Sequence, residues 1–336
     1  MDVGTHALAS IAIIRAVIPR APLTAWAVVV LVGTAADVDA LSTISGPSAY
    51  LDWHRTYTHS VIACVIMGAV LGWGYLFLGA RASAAKMSKA TFLSAVFCAG
   101  FLHLAMDACQ SEAIAAFWPF NARRVAADWI AGVDPWIIAI LVIAILLPEL
   151  LRLVSDEIGA KDKRPRGRVA AIVGLALVIL YVGVRADFHA TALAAIQART
   201  YSGESSRRAS AYPEPASLFT WRGIVETDHA LHELIIDTTP GAPFDPDNGT
   251  TLFKPEPSAI LEHAQNAGAA KRFLRVASFP KASVEKTTEG YQIQIRDLRY
   301  AASGESKHEI LALVRMNLDG SLEEDELAWA RDLHRR

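Results

Sequence analysis

Long uncharged apolar runs in the first half of the chain constrain its fold more than any other feature. Residues 60–80 form a run of 21 residues without a charged side chain, enough for a helix to cross the ~30 Å hydrocarbon core of a bilayer. Further long runs lie at 90–108, 136–151 and 169–184, and shorter ones at 7–18 and 22–36. A full span needs about 20 residues, so the shorter runs predict tilted helices, half-helices or hairpin arms. The sequence therefore predicts a multi-pass α-helical membrane domain of about 4–6 transmembrane helices.

The chain changes character after residue 200. Of its 336 residues 53% are hydrophobic, and the apolar runs all lie before residue 190. A Ser-, Pro- and Arg-rich stretch follows, and then segments such as 290–300 with the two-residue alternation of strands. Residues 257–270 and 321–336 are predicted as helices. We predict a membrane domain at 1–190, a linker at 191–215 and a small soluble α+β domain with an antiparallel sheet at 216–336.

Charge and cysteine content exclude several classes of protein. The net charge is only −2, which does not favour nucleic-acid binding. The three cysteines have no CxxC spacing, so neither a disulfide framework nor a zinc ribbon is indicated. Basic residues are concentrated in the loops at 81–89 and 152–168, which the positive-inside rule places in the cytoplasm. The C-terminal domain is then expected on the opposite, outer side.

Two ionisable residues lie inside one predicted span. His103 and Asp107 are separated by four residues, so on a helix they share one face. An ionisable residue within a span is costly and is a candidate functional residue by default. Imidazole and carboxylate are also good ligands for zinc or manganese. A buried hydrogen bond that links helices is the alternative explanation for this pair.

Other histidines and aspartates are expected at the same membrane face. His6 and His59 each follow a threonine at the start of an apolar run, where the threonine can cap the helix. Asp37 and Asp39 lie where the second run ends, and His54 lies in the loop before the third. Four separate segments thus bring His and Asp side chains to one face. We predict a site for a divalent metal there, zinc or manganese.

The motifs that carry these residues resemble those of a known family. The motifs are GTHALAS, GTAADVD, HRTYTHS and HLAMDA, and with WPF and DPW they resemble the YdjM-like membrane-bound metal-dependent hydrolases of bacteria over residues 1 to about 140. The resemblance implies a multi-pass inner-membrane protein, a divalent-metal site and hydrolase activity. In an inner membrane, the outer side that the basic loops predict for the C-terminal domain is the periplasm. It matches His6, Asp37, Asp39, His54, His59, His103 and Asp107 to the family's motif positions. Ala36 stands where the family usually has proline.

The mechanism that fits these residues is metal-assisted hydrolysis. A divalent ion lowers the pKa of a bound water to ~7 and polarises the scissile group. The expected ligands are His6, Asp37, His54, His59, His103 and Asp107, although His54 and Asp39 can instead orient other ligands. Asp39 is a candidate general base, and Arg55 is expected to stabilise anionic charge. The bilayer is the expected partner, and an amphipathic or phosphate-containing small molecule the expected substrate.

Two alternatives stay open. In the first, the His/Asp cluster serves an ion or proton transporter, whose polar path should run between both membrane faces. In the second, the metal is structural and the membrane domain anchors a binding domain. Activity in a chain without residues 200–336 separates an accessory C-terminal domain from an essential one.

Overall fold

The structure is a computed structural model that describes residues 1–79, 87–157, 167–301 and 309–333. The structure does not describe residues 80–86 and 158–166. Most of the basic loops at 81–89 and 152–168, which predict the orientation, therefore lies outside the described residues. The chain forms two compact units. The membrane unit comprises Met1–Leu41, Trp53–His189 and Pro213–Leu218, and the C-terminal unit comprises Ser42–Asp52, Ala190–Tyr212 and Phe219–Arg336. The linker predicted at 191–215 stays a prediction.

The membrane unit is built from apolar helices. In the described part of the chain five helices are long and apolar enough to cross a membrane, which confirms the predicted multi-pass class. These spans are Leu23–Ser45, Val61–Leu78, Lys89–Ala108, Pro135–Val154 and Arg168–Gln197. The helices up to residue 197 are α1 (Val3–Val17), α2 (Leu23–Thr34), α3 (Pro47–Trp53), α4 (Val61–Gly74), α5 (Lys89–Ala108), α6 (Pro135–Glu157) and α7 (Arg168–Gln197).

The two short apolar runs fold differently. The first forms α1, whose 15 residues are fewer than the roughly 20 that a span needs. The second forms α2, which continues directly into a 3₁₀-helical segment at Ala35–Ser45, so that together they give a 23-residue span. Asp37 and Asp39 therefore lie within a helical segment and not in a turn beyond its end.

Close packing of α1, α2 and α5 brings backbone and side-chain groups together. Ile14 of α1 and Val29 of α2 are completely buried in the shared core. Gly33 allows this approach, because a Cβ atom at that position would lie 1.9 Å from Ser10 Oγ. The same approach brings the Gly33 carbonyl oxygen within 2.8 Å of His103 Nδ1 on α5.

The C-terminal unit is mainly antiparallel sheet, as predicted. The described strands are β1 (Thr200–Tyr201), β2 (Glu204–Ser205), β3 (Arg208–Pro213), β4 (Thr220–Glu226), β5 (Ala230–Asp237), β6 (Gly249–Phe253), β7 (Pro280–Lys286), β8 (Gly290–Asp297), β9 (Ile310–Asn317) and β10 (Leu322–Trp329). One four-stranded sheet has the order β3-β4-β5-β6, a second has the order β10-β9-β8-β7, and β1 pairs with β2. The helices are α8 (Ala259–Asn266), α9 (Gly268–Leu274), α10 (Leu298–Ala301) and α11 (Ala330–Leu333).

The helix predicted at 321–336 is wrong for most of its described length. Residues 322–329 form β10 and pair with β9 in an antiparallel hairpin. Gly320, with φ of +81°, makes the turn, a conformation that glycine adopts at little cost. Helix propensity is a weak preference that tertiary pairing overrides, and the backbone bonds to β9 decide the outcome here. The helix predicted at 257–270 forms as α8 and α9, divided at Ala267.

Candidate metal centre

Asp107, near the C-terminal end of α5, is the centre of a buried cluster of histidines. His103 Nε2 and His59 Nε2 lie 3.2 Å and 3.1 Å from its Oδ2 atom. His6 Nε2 lies 3.2 Å from its Oδ1 atom, and the rings of His6 and His103 are stacked with centroids 3.8 Å apart. All four side chains are almost completely buried. Three segments distant in sequence therefore converge on one carboxylate.

Two of these histidines are held by the ring nitrogen that points away from Asp107. His103 Nδ1 lies 2.8 Å from the Gly33 carbonyl oxygen, which can only accept a hydrogen bond, so Nδ1 carries the proton. His59 Nδ1 lies 2.9 Å from Asp39 Oδ2 and donates to that carboxylate. In the neutral ring each Nε2 atom then keeps its lone pair. This arrangement, with one nitrogen donating and the other free, is typical of histidines that bind metal ions.

Several buried polar atoms at the same place have no hydrogen-bond partner among the described residues. They are Asp37 Oδ2, His59 Nε2, His103 Nε2 and Asp107 Oδ2. Buried polar groups in folded proteins are normally paired. One ligand atom each from His6, Asp37, His103 and Asp107 lies within 4.8 Å of the others. This His/Asp group can hold a metal ion.

The spacing of the donor atoms fits one ion. Four donors at about 2.0–2.2 Å from a tetrahedral zinc ion lie about 3.3–3.6 Å from each other. The separations of 3.1 Å and 3.2 Å at Asp107 Oδ2 are slightly below that range. Asp37 Oδ1 is 3.7 Å from His59 Nε2 and 3.8 Å from His103 Nε2, so the second carboxylate faces the same two imidazoles.

Asp39 accepts hydrogen bonds from several donors and orients them. Its Oδ1 atom accepts from His54 Nδ1 at 3.0 Å. Its Oδ2 atom lies near His59 Nδ1 and accepts from the Arg55 amide at 2.8 Å and from Thr58 Oγ1 at 2.7 Å. A carboxylate behind a histidine fixes the ring and increases its basicity. The structure thus places Asp39 and His54 beside the cluster at Asp107, joined to it through His59.

Arg55 adopts a strained backbone conformation and a buried side-chain position. Its φ of +56° lies in the left-handed region, which is costly for a residue with a side chain and is frequent at functional sites. Its guanidinium donates to the Glu112 carbonyl at 2.9 Å and to Gln110 Oε1 at 3.2 Å. It also lies 3.7 Å from Asp107 Oδ1 and 3.1 Å from Glu112 Oε2. The cation is therefore fixed beside the cluster.

Sequence reasoning missed three polar residues of this site, namely Thr58, Gln110 and Glu112. Gln110 and Glu112 lie in the loop after α5, which has no periodicity and no motif to mark them. Their position directly after the span that carries Asp107, at the expected face, was the available signal. The predicted capping threonines were wrong, because Asp2 caps α1 and Ser60 caps α4. His59 therefore precedes α4 and does not lie in its first turn.

The electrostatic environment differs between the histidines of the site, because burial lowers the pKa of His6 to about 4, whereas carboxylates raise the pKa values of His59 and His54. Burial by itself lowers the pKa of His59, but its contacts with carboxylates raise the pKa to about 10. Those carboxylates belong to Asp107, Asp37 and Asp39. The pKa of His54 is also raised, because the bond to Asp39 outweighs the effect of burial. These carboxylates thus stabilise positive charge at His59 and His54, whether it comes from a proton or from a metal ion.

A second buried polar cluster lies elsewhere in the membrane unit. Asp134 Oδ1 accepts from the backbone amides of Trp136 and Ile137 at the start of α6, at 3.0 Å and 3.2 Å, and Oδ2 accepts from the Tyr181 hydroxyl at 2.9 Å. Arg185, on α7 one turn after Tyr181, donates to backbone carbonyls of 129, 217 and 218. We call these residues the Asp134 cluster. Its geometry is that of helix capping and loop fixation.

Comparison with known proteins agrees with this architecture. The sequence profile of the YdjM inner membrane protein family matches residues 1–190. These residues contain α1 to α6 and most of α7. Uncharacterized protein YfhP of Bacillus subtilis (strain 168) is 26% identical, in an alignment that covers 98% of this chain and 95% of that protein. No solved structure matches the chain. The matched region contains every residue of the His/Asp cluster and more than half of the chain, and the protein therefore belongs to the YdjM inner membrane protein family.

Proposed function

We propose that the chain is a membrane-bound metal-dependent hydrolase. The observation that carries this proposal is that His59 Nε2 and His103 Nε2 each lie within 3.2 Å of Asp107 Oδ2. All three atoms are buried, and none has a hydrogen-bond partner among the described residues. Burying such groups without a hydrogen-bond partner is costly unless a ligand, such as a metal ion, binds to them. Membership of the YdjM inner membrane protein family is compatible with this function.

The proposed ligands are His6, Asp37, His59, His103 and Asp107. A set of imidazole and carboxylate donors suits zinc or manganese. When bound, a divalent ion supplies Lewis-acid activation of water and of the scissile group. The remaining polar residues of the site then decide how protons and charge are handled during the reaction.

We assign the transfer of a proton to His54 rather than to Asp39. Both oxygens of Asp39 already accept hydrogen bonds from the chain, so this carboxylate is suited to orient a ring. His54 rests on Asp39 through Nδ1, and its side chain is 17% exposed, unlike the fully buried His59. A titratable imidazole backed by a carboxylate is the common arrangement for general acid–base catalysis. Arg55 contributes a fixed positive charge for an anionic transition state.

The proposed substrate is an amphipathic phosphoester or lipid-type molecule at the outer, periplasmic face. The membrane setting favours a substrate that partitions into the bilayer, and the fixed charge of Arg55 beside the cluster favours an anionic group. The orientation follows from the basic loops at 81–89 and 152–168 under the positive-inside rule.

Metal content and hydrolysis test the proposal on detergent-purified protein. Mass spectrometry should find near-stoichiometric zinc or manganese in the wild type and none in the His103→Ala/Asp107→Ala variant. Divalent-dependent cleavage of phosphoester substrates should disappear in the same variant. A folded wild type that takes up no metal on reconstitution would refute the proposal. Metal without hydrolysis would instead favour a structural metal, and metal-dependent flux in proteoliposomes without hydrolysis would favour a transporter.

A further inference from the structure

The segment that joins Asp39 to His54 belongs to the C-terminal unit. Residues up to Leu41 and from Trp53 onward belong to the membrane unit, whereas Ser42–Asp52 belongs to the C-terminal unit. We call Ser42–Asp52 the bridging segment. It contains the end of the 3₁₀ segment and most of α3. Chain connectivity therefore leads from Asp39 at the candidate metal centre into the C-terminal unit and back to His54, 15 positions later.

Contacts inside the C-terminal unit hold the bridging segment. Tyr50 and Leu51 pack against the core formed by α8, α9 and the sheet of β7 to β10. The ring of Tyr50 meets the ring of Trp329 on β10 edge to face, with centroids 5.4 Å apart at 62°. Asp52 forms an exposed ion pair with Arg272 on α9. The segment is thus fixed by aromatic packing and by charge.

The residues at the two ends of the segment orient the metal ligands. Asp39, three residues before it, accepts from the ring of His59. His54 and Arg55 follow it closely, and both also donate to the Asp39 carboxylate. The left-handed backbone of Arg55 is kept only where its surroundings determine it. Small displacements at either end of the segment would move Asp39 relative to His59, and residues that orient ligands change metal affinity strongly.

We propose that Tyr50 and the C-terminal unit to which it is bound are positioning elements of the metal centre. By fixing the bridging segment, the C-terminal unit sets the separation between Asp39 and His54, and through Asp39 the orientation of His59. This inference rests on the proposed function in taking the His/Asp cluster as a metal site. The C-terminal unit then contributes to metal affinity, although its residues bind no metal themselves.

A pair of matched tyrosine variants tests this role in the full-length protein. Tyr291, on β8, packs against the same core as Tyr50 but lies far from the bridging segment in sequence. Affinities for Zn²⁺ and Mn²⁺ are measured by chelator competition, and the melting temperature by scanning fluorimetry. Both Tyr50→Ala and Tyr291→Ala should lower the melting temperature. Tyr50→Ala alone should weaken metal binding, by about tenfold, the lower end of the effect of ligand-orienting residues, and Tyr50→Phe should restore it.

Surface variants protect the test against a failure to fold. Arg272→Glu removes the exposed pair with Asp52, and Arg315→Glu removes an equally exposed pair with Glu324 between β9 and β10. Weaker metal binding in Arg272→Glu alone supports the proposal. Wild-type affinity in both Tyr50→Ala and Arg272→Glu, or equal loss in a variant and its control, overturns it. A wild type that binds neither ion would refute the proposed function itself, and that result is seen before any variant is compared.

Discussion

The membrane unit contains two buried polar clusters that differ in how completely their atoms are paired. In the Asp134 cluster both carboxylate oxygens accept hydrogen bonds from within the chain. In the cluster around Asp107, Oδ2 and two facing Nε2 atoms have no such partner among the described residues. Both clusters combine a buried aspartate with side chains from distant segments. The two clusters differ in this pairing and in the histidines that surround Asp107.

This difference separates a structural role from a ligand-binding role. A buried polar group that is fully hydrogen-bonded can stabilise a fold without any ligand, whereas unpaired groups that face one point need one. Asp134 fixes the start of α6, and Arg185 holds neighbouring loops. At Asp107, by contrast, Oδ2 and the Nε2 atoms of His59 and His103 have no hydrogen-bond partner among the described residues. Substitution by asparagine should therefore affect mainly metal binding at Asp107 and mainly the stability of the fold at Asp134.

The largest expected effect is that of Asp107→Asn compared with Asp134→Asn. Asp107→Asn should abolish stoichiometric metal binding, because it removes the carboxylate that all three histidines face. Asp134→Asn should retain the metal and lower the free energy of unfolding by about 1–3 kcal/mol, as expected when a buried acceptor is lost. Mass spectrometry and thermal unfolding measure both effects. Loss of metal in Asp134→Asn would remove the distinction between the clusters.

A smaller loss of affinity is expected for Asp39→Asn. The amide would still fill the site but would orient His59 less well and make its ring less basic, so metal affinity should fall about 10–100-fold. Metal stoichiometry at saturation should stay that of the wild type, in contrast to Asp107→Asn. Chelator competition measures the affinity. An unchanged affinity would mean that Asp39 only stabilises the loop.

Metal binding should also depend on pH with a defined sign. Contacts with carboxylates raise the pKa of His59 to about 10 in the protein without metal, so its ring holds a proton more strongly than a free imidazole does. A metal ion needs the neutral ring and must displace that proton. Apparent affinity should therefore rise by up to about tenfold per pH unit between pH 7 and 9. Calorimetry in buffers of different ionisation enthalpy should detect the released proton, and its absence would contradict this assignment.

The smallest effect is expected from Tyr181→Phe in the Asp134 cluster. The change removes one hydrogen bond to Asp134 and should lower the free energy of unfolding by about 0.5–1.5 kcal/mol. Metal affinity should not change, because both oxygens of Asp134 already accept hydrogen bonds within the chain and lie in a different cluster from the proposed ligands. Parallel thermal unfolding and chelator competition on one preparation separate these two quantities.

Local sequence patterns predicted the features that depend on local geometry. Apolar run length predicted the spans, and the four-residue spacing of His103 and Asp107 predicted their shared helix face. The partners of the ligands were not predictable in this way. The Gly33 carbonyl carries no sequence signal, and Glu112 reaches Arg55 only because the loop after α5 folds back. Residues 322–329 form a strand because β9 pairs with them, and pairing of this kind is invisible in a local window.

Gly33 shows how a residue without a side chain controls the position of another residue's ring. Any side chain there would collide with Ser10, push α2 away from α1 and withdraw the carbonyl that holds the His103 ring. In a saturation mutagenesis screen for metal-dependent activity, this position should tolerate as few substitutions as the ligands themselves. A screen that records only mutational intolerance would thus not distinguish Gly33, which acts through helix spacing, from the proposed ligands.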